Sequence, residues 1–320
     1  MTDETRPEQE SKVRVDICVC TYRRPALEDA LLSIAAMRAP ERARIRIVVA
    51  DNDDVPSARD RTYRLASNLP FEVSYVHCPA SNISIARNAC LDLATGDFLA
   101  FVDDDETVSP DWLAELLRCA ADTGAEAVLG PVRAVYGEDA PSWMRRGDFH
   151  STRPVWVDGE IHTGYTCNLL LNRSSPRLAG RRFNLALGRT GGEDTEYLGR
   201  LHQAGGRIAY APDAVVFEPV PAERAGFAWL AKRRFRMGQT HGRILSEKAG
   251  GMTRARHMGL VGAKLGYCAA VAALFLFNAE RRNRSILRGI LHAGVMGGLF
   301  GISEIVQYGD QPAGAHGHAD

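Results

Sequence analysis

Apolar and polar positions follow a strand–helix rhythm from Val13 onward. Val15-Asp-Ile-Cys-Val-Cys-Thr21 reads as a first strand, and Pro25 to Arg38 as an amphipathic helix opened by proline. Arg44 to Ala50 is a second strand, ending at Asp51-Asn-Asp-Asp54. A short helix over 58–67 leads to a third strand, Phe71–His77. Ser84 to Ala94 is helical, with Gly96 as its C-cap. Phe98-Leu-Ala-Phe-Val102 is a continuous apolar run, the pattern of a strand buried on both faces, and Pro110–Thr123 is the next helix. Repeated β-α-β units with short connections predict a parallel sheet covered by helices on both faces.

Past Ala125 the rhythm loosens. Ala127 to Tyr136 is strand-like, 137–153 is loop-rich, and short strands fall near Thr166–Asn172 and Arg207–Tyr210. Between those two strands, Gly191-Gly-Glu-Asp opens a helix that runs to about Ala204. From Ala222 the chain is helical and basic, then apolar. Met258–Phe277 is interrupted only by Lys264, and Ile286–Ile305 carries Arg288, His292 and Glu304. The segments expected are a disordered polar lead (1–12), a first half (13–124), a second half (125–221), a helical C-terminal region (222–309) and a flexible tail (310–320).

Composition narrows the classes. A hydrophobic share of 45% and a charged share of 24% are those of an ordinary globular protein. The zero formal charge offers no case for a nucleic-acid partner. The seven cysteines are scattered and odd in number, without zinc-ligand spacing, which fits reduced thiols in a cytosolic compartment. No Gly-rich fingerprint follows the first strand, where Thr21-Tyr-Arg-Arg-Pro25 stands, and no Gly-Lys-Ser/Thr phosphate loop exists. An ordinary dinucleotide fold is therefore not expected, and that class of ATPase is excluded.

The chemistry concentrates in two acidic groups. Asp103, Asp104 and Asp105 follow the apolar strand at its carboxyl end, where open α/β sheets place ligands. Three adjacent carboxylates repel one another unless a cation or a set of donors offsets the charge. They read either as a site for Mg²⁺ or Mn²⁺ held with a diphosphate, or as a solvated acidic turn before the helix at Pro110. Glu193 and Asp194 form the second group. At a helix start they either cap backbone amides or, reaching from the far half, deprotonate a hydroxyl.

Together these pieces resemble an inverting family-2 glycosyltransferase over roughly residues 14 to 240. The resemblance rests on Thr21-Tyr-Arg-Arg-Pro25, Val48-Val-Ala-Asp51-Asn52, Asn82-Ile-Ser-Ile-Ala-Arg87-Asn88, Phe101-Val-Asp-Asp-Asp105 and Glu193-Asp194, in that order. A narrower similarity is to bacterial glucosyltransferases that extend lipid-linked units of succinoglycan-type exopolysaccharide. The family implies an α/β, GT-A-like nucleotide-sugar-binding sheet domain with a helical C-terminal extension. Residues 13–124 would bind the donor and 125–221 the acceptor. Thr21, Arg23, Asp51, Asn52 and Arg87, with Asp103 and Asp104, would line the nucleotide sugar, the base being uracil or thymine. Arg87 has the alternative of a surface salt bridge. Asp105 and Asp103 would hold the metal, in a D-x-D register that stays open. Asp194 would be the general base, with Glu193 as the alternative. Charge would grow on the departing phosphate, and one displacement would invert the sugar.

The Gln-x-x-Arg-Trp motif of processive synthases is missing, with Arg233-Arg-Phe-Arg-Met-Gly-Gln239 in its place, so transfer of a single hexose is expected. Arg233, Arg234, Arg236 and His241 either meet donor or acceptor phosphates or form a solvated helix face. The acceptor would be a lipid-linked or free oligosaccharide. The alternatives are a sugar nucleotidyltransferase, which needs a Gly-rich loop not found here, and an inactive membrane-docked scaffold. The apolar stretches in 258–305 are long enough to span a bilayer. A spanning hairpin would place Arg281, Arg282 and Arg284 outside, against the positive-inside tendency. Interfacial helices at the cytoplasmic face of the inner membrane are expected, with soluble packing and true spanning as the alternatives.

Overall fold

The computed structural model describes residues 12–248 and 250–302. The expected disordered lead (but for Lys12), Glu304 and the flexible tail lie outside the described residues. The first half forms β1 (Val13–Thr21), α1 (Leu27–Ala36), β2 (Ala43–Asp51), α2 (Arg59–Ala66), β3 (Glu72–His77), α3 (Ile83–Leu93) and β4 (Phe98–Asp103). β1 pairs in parallel with both β2 and β4, and β2 with β3. Successive side chains of a strand point to opposite faces, and both faces here are apolar. Ile17, Val19, Ile47 and Val49 pack with Leu27, Leu31 and Ile34 of α1. Cys18, Val48, Ala50 and Phe101 pack on the other side with Ala86 and Cys90 of α3.

The Gly96 cap is a correction. α3 ends at Ala94 in extended backbone, and Gly96 takes no left-handed conformation. It is a site of close approach instead, since a Cβ there would lie 2.8 Å from the Arg14 carbonyl oxygen.

β5 (Thr107–Val108) and α4 (Trp112–Thr123) complete the first half, and the second half supplies β6 (Ala127–Leu129), β7 (Val132–Tyr136), α5 (Ser142–Gly147), β8 (Trp156–Val157), β9 (Glu160–Ile161), β10 (Asn168–Asn172), α6 (Glu193–Gln203), β11 (Ile208–Tyr210) and β12 (Val216–Val220). The main sheet has seven strands in the order β11-β6-β10-β4-β1-β2-β3. It is mixed rather than all parallel, because β10 runs antiparallel to both β4 and β6. An antiparallel neighbour needs no crossover helix, and the irregular excursion between β6 and β10 contains none that crosses the sheet.

The single strand expected over Ala127–Tyr136 is two. Pro131 has no N–H for a ladder, and a Cβ at Gly130 would lie 2.3 Å from the Ala214 carbonyl oxygen. There the chain leaves the main sheet, and β7 joins a three-stranded sheet ordered β5-β12-β7. β12 carries Pro219, which disguises it as a non-strand in sequence.

The C-terminal region is α7 (Phe227–Lys248), α8 (Gly251–Leu274) and α9 (Ala279–Leu299). α7 and α9 meet through glycines four apart on each helix. A Cβ on Gly238 would lie 2.1 Å from the Leu291 carbonyl oxygen, and one on Gly242 2.2 Å from that of Val295. Cβ atoms on Gly294 and Gly298 would meet the Phe235 and Gln239 carbonyl oxygens at 2.0 and 2.3 Å. This is small-xxx-small packing, which lets two backbones touch. Gly242→Leu is expected to destabilise the chain by at least about 1–3 kcal/mol through overpacking, measured by denaturant unfolding. An unchanged midpoint would refute the close approach.

α8 differs. Among the described residues it alone is long and apolar enough to cross a membrane, by length and composition. Met252, Leu260, Tyr267 and Leu274 are exposed on it, and Phe277 beyond its end is 98% exposed. α9, the other apolar stretch, instead buries Leu287, Val295 and Leu299.

Candidate active site

The carboxyl ends of β1, β2 and β4 lie side by side, since Thr21 pairs with Asp51 and Cys20 with Asp103. Asp103 sits on the floor of this crevice. Its side chain keeps 44% exposure on the open side, while surrounding protein desolvates the rest. That burial drives its carboxyl up to about 6, against the pull of Arg87. Asp104 is more enclosed and is pushed to about 7 by burial, then by Asp105. Its Oδ2 is buried without a hydrogen-bond partner. Asp105 forms ion pairs with Arg24 at 3.0 Å and Arg224 at 3.7 Å.

Two further carboxylates crowd in. Glu106 accepts the Asp103 N–H at 3.1 Å, and burial, then Asp103, raises its carboxyl well above the usual range. Glu218 on β12 meets Arg224 at 3.3 Å, and burial raises it as well. Ligand atoms of Asp103, Glu106 and Cys167 lie within 4.8 Å of one another. Burial and Glu106 keep the Cys167 thiol protonated, so oxygens make up the donor set. Crowded oxygens, one of them orphaned, fit a hard divalent cation such as Mg²⁺ or Mn²⁺. Glu106, Glu218, Arg24 and Arg224 were not singled out from sequence as site residues. Glu106 extends the aspartate run and was legible there, whereas Glu218 sits on the strand that Pro219 conceals.

The second acidic group closes the far side. Gly191 and Gly192 are both left-handed (φ 88° and 91°) and turn the chain into α6. A Cβ on Gly192 would lie 2.4 Å from Thr240 Cγ2, and Arg236 donates to the Thr190 carbonyl at 3.0 Å. α7 therefore holds the turn that presents Glu193 and Asp194. Arg87 joins the two groups. It is buried, forms an ion pair with Glu193 and lies 4.0 Å from Asp103. Burial alone would lower its pKa, but Glu193, then Asp103 and Asp194, raise it on balance. The surface salt bridge weighed as the alternative for Arg87 is thus replaced by a buried pair across the site. Asp194 is half-buried, with its Oδ1 accepting the Thr195 N–H at 2.6 Å.

The segment Asn82–Asn88 positions this side. Asn82 caps α3 by accepting the Ser84 N–H, and it donates to the Leu185 carbonyl at 2.9 Å. Ser84 donates to the Asn184 carbonyl. Asn88 both donates to the Phe183 carbonyl and accepts its N–H. Three polar side chains on one helix thereby clamp the loop that leads to Glu193, and Arg87 completes the link.

At the other edge, the buried Thr21 hydroxyl faces the Asp104 carboxylate and lowers its pKa, and Asn52 Oδ1 is buried without a hydrogen-bond partner. Asp51 is fully enclosed and accepts the Asp53 and Ala58 N–H groups and the Tyr75 hydroxyl. Its carboxylate shapes the 51–58 loop. Arg23, left-handed at φ 54°, pairs with Asp53 at 2.8 Å and lies over the Tyr22 ring. The basic residues of α7 divide. Arg233 lies over Trp229, Arg234 reaches the Phe149 carbonyl, and Arg236 serves the 190 turn. His241 faces Lys264 and His257.

Solved structures share this architecture. A mannosyltransferase from Pyrobaculum calidifontis, in complex with GDP-Man and Mn²⁺, superposes with a TM-score of 0.62 over 91% of this chain and 88% of that one, at 21% identity. S. aureus TarS 1–349 with UDP-GlcNAc gives 0.52 over 88% and 90%, at 16% identity. The fold is that of the GT-A glycosyltransferases. Residues 16–177 match the sequence profile of glycosyl transferase family 2, and the chain belongs to that family. It is 63% identical over 297 residues to the succinoglycan biosynthesis protein ExoM of Rhizobium meliloti (strain 1021), covering 93% of this chain and 96% of that protein. It is 27% identical to a glucosyl-dolichyl phosphate glucuronosyltransferase of Haloferax volcanii, over 71% and 75% of the two chains.

Proposed function

We propose that this protein is a non-processive inverting glycosyltransferase in succinoglycan-type surface polysaccharide synthesis. It moves a hexose from a UDP-sugar to a hydroxyl of a lipid-linked or oligosaccharide acceptor. The observation that carries this reading is the juxtaposition across Arg87 of Asp103 at a strand end and the Glu193–Asp194 pair at a helix start. The name of the R. meliloti relative supports the pathway.

Asp103 and Asp105 would hold Mg²⁺ or Mn²⁺, which supplies Lewis-acid stabilisation of the departing diphosphate. The buried Thr21 hydroxyl and the unpartnered Asn52 oxygen suit the donor's base and ribose. Arg24 and Arg224 bring positive charge to the same end of the crevice. Asp194 takes the proton of the acceptor hydroxyl. Glu193 does not compete for that role, because Arg87 engages its carboxylate. Attack opposite the leaving group inverts the anomeric centre in one displacement.

A panel of UDP- and dTDP-sugars with and without Mn²⁺ tests the donor. One nucleotide sugar should raise the melting temperature only with metal, and saturation a hundredfold above Kd adds about 2.7 kcal/mol. Asp105→Ala should abolish that metal-dependent gain. An unchanged affinity in the variant would remove Asp105 from the metal site.

The exposed apolar residues of α8, with Arg256 and Lys264 on the same helix, support attachment in the interface of the cytoplasmic face of the inner membrane. Leu274→Ser with Phe277→Ser should release the protein from anionic vesicles in a sedimentation assay. Equal sedimentation of parent and variant would place the membrane contact elsewhere.

A further inference from the structure

We propose that Glu160, His162 and His202 form a site for a zinc-class transition-metal ion, distinct from the carboxylate crevice. The ion would staple the β8–β9 hairpin to the C-terminal turn of α6. Glu160 Oε2 lies 3.9 Å from His162 Nε2 and 4.0 Å from His202 Nε2. The two imidazoles stack, with centroids 4.2 Å apart at 17°. Two ring nitrogens thus converge on one carboxylate oxygen at distances too long for hydrogen bonds. Imidazole lone pairs lie in the ring plane, so an ion at about 2.0–2.2 Å from each ligand bridges the three once the two rings rotate out of their stack.

The backbone beneath these ligands is held in place. Ile161 is buried at 2% exposure, and Thr163 donates to the Thr195 carbonyl at 2.7 Å. A Cβ at Gly164 would lie 2.5 Å from Leu129 and 3.0 Å from Leu198, so the segment lies tightly along α6. Ligands on fixed elements leave side-chain rotation as the reorganisation that binding needs. Two imidazoles and one carboxylate select zinc-like ions over Mg²⁺, and three protein ligands leave a position for water. The stapled segment also bonds Thr195, the residue after Asp194. Occupancy at one end of α6 therefore tightens the segment after β9 that holds its first turn.

Equilibrium dialysis of the full chain against Zn²⁺ in excess Mg²⁺ tests the site, with metal content as the readout. His316 and His318 of the C-terminal His-Gly-His are replaced by Asn in every sample, so that only zinc on the described residues is counted. One Zn²⁺ per chain is expected. It should be lost in His162→Asn and His202→Asn, weakened at least about tenfold in Glu160→Gln, and retained in Asp105→Asn. Zinc should raise the melting temperature of the parent but not of His202→Asn, while the zinc-free melting temperatures agree. Zinc retained by both histidine variants, or lost only in Asp105→Asn, would overturn the proposal.

Discussion

Asp194→Asn should lower turnover by about 10²–10⁴-fold, the usual contribution of a positioned general base, while leaving donor affinity unchanged. In the proposed mechanism Asp194 serves the acceptor, and it lies across Arg87 from the crevice, so the nucleotide sugar should not need it to bind. Its pH dependence makes the assignment specific. Burial, then the adjacent Glu193, pushes its carboxyl up to about 6, and Arg87 pulls it back only in part. A base acts when deprotonated, so kcat/KM should rise with pH through about 6 and level off above it. The apparent midpoint belongs to the interacting Glu193–Asp194 pair. Asn accepts no proton, so the residual activity of the variant should be flat over the same range. A variant that keeps the rising limb would move the base to another carboxylate. Glu193→Gln, which removes a negative neighbour, should keep activity and shift the midpoint down.

Much of this site was legible because its parts are short and local. An apolar run into three aspartates announces a buried strand with charge at its end, and Gly-Gly-Glu-Asp announces a turn into a helix. What sequence did not convey was which side chains face each other. Asn82, Ser84 and Asn88 are spaced as any polar helix face, and only the fold reveals that they clamp the 183–188 loop. Arg87 carries no local sign that its partner is Glu193, because that pairing depends on α3 and α6 being brought together by the sheet. β12 escaped because Pro219 opposes strand propensity and tertiary pairing with β7 overrides it. β10 itself was legible as a strand, but its antiparallel direction was not, since direction is a property of the connection and not of the strand. The glycines of α7 and α9 were visible as residues. Their fourfold spacing becomes a signal only once two such tracts are paired.

The Arg87–Glu193 pair leads to the other large effect. Arg87→Met should destabilise the chain by about 3–5 kcal/mol, because it strands a buried carboxylate without its partner. The cost is not the worth of the pair itself. Replacing both members by apolar groups of similar size is often neutral or stabilising, so Arg87→Met with Glu193→Leu should recover most of the loss. The catalytic readout separates in a different way. Without Arg87 the Asp194 carboxyl loses its attractive neighbour, and the rising limb of kcat/KM should move to higher pH. Without Glu193 it loses its repulsive neighbour, and the limb should move lower. In the double variant the two changes oppose each other, and the limb should return towards its original place. Denaturant unfolding and pH–rate profiles of the three variants check both halves. If the double variant were as unstable as Arg87→Met, the cost would come from lost packing against Phe183 and not from an orphaned charge. If the two single variants shifted the limb in the same direction, the field of this pair would not be what tunes Asp194.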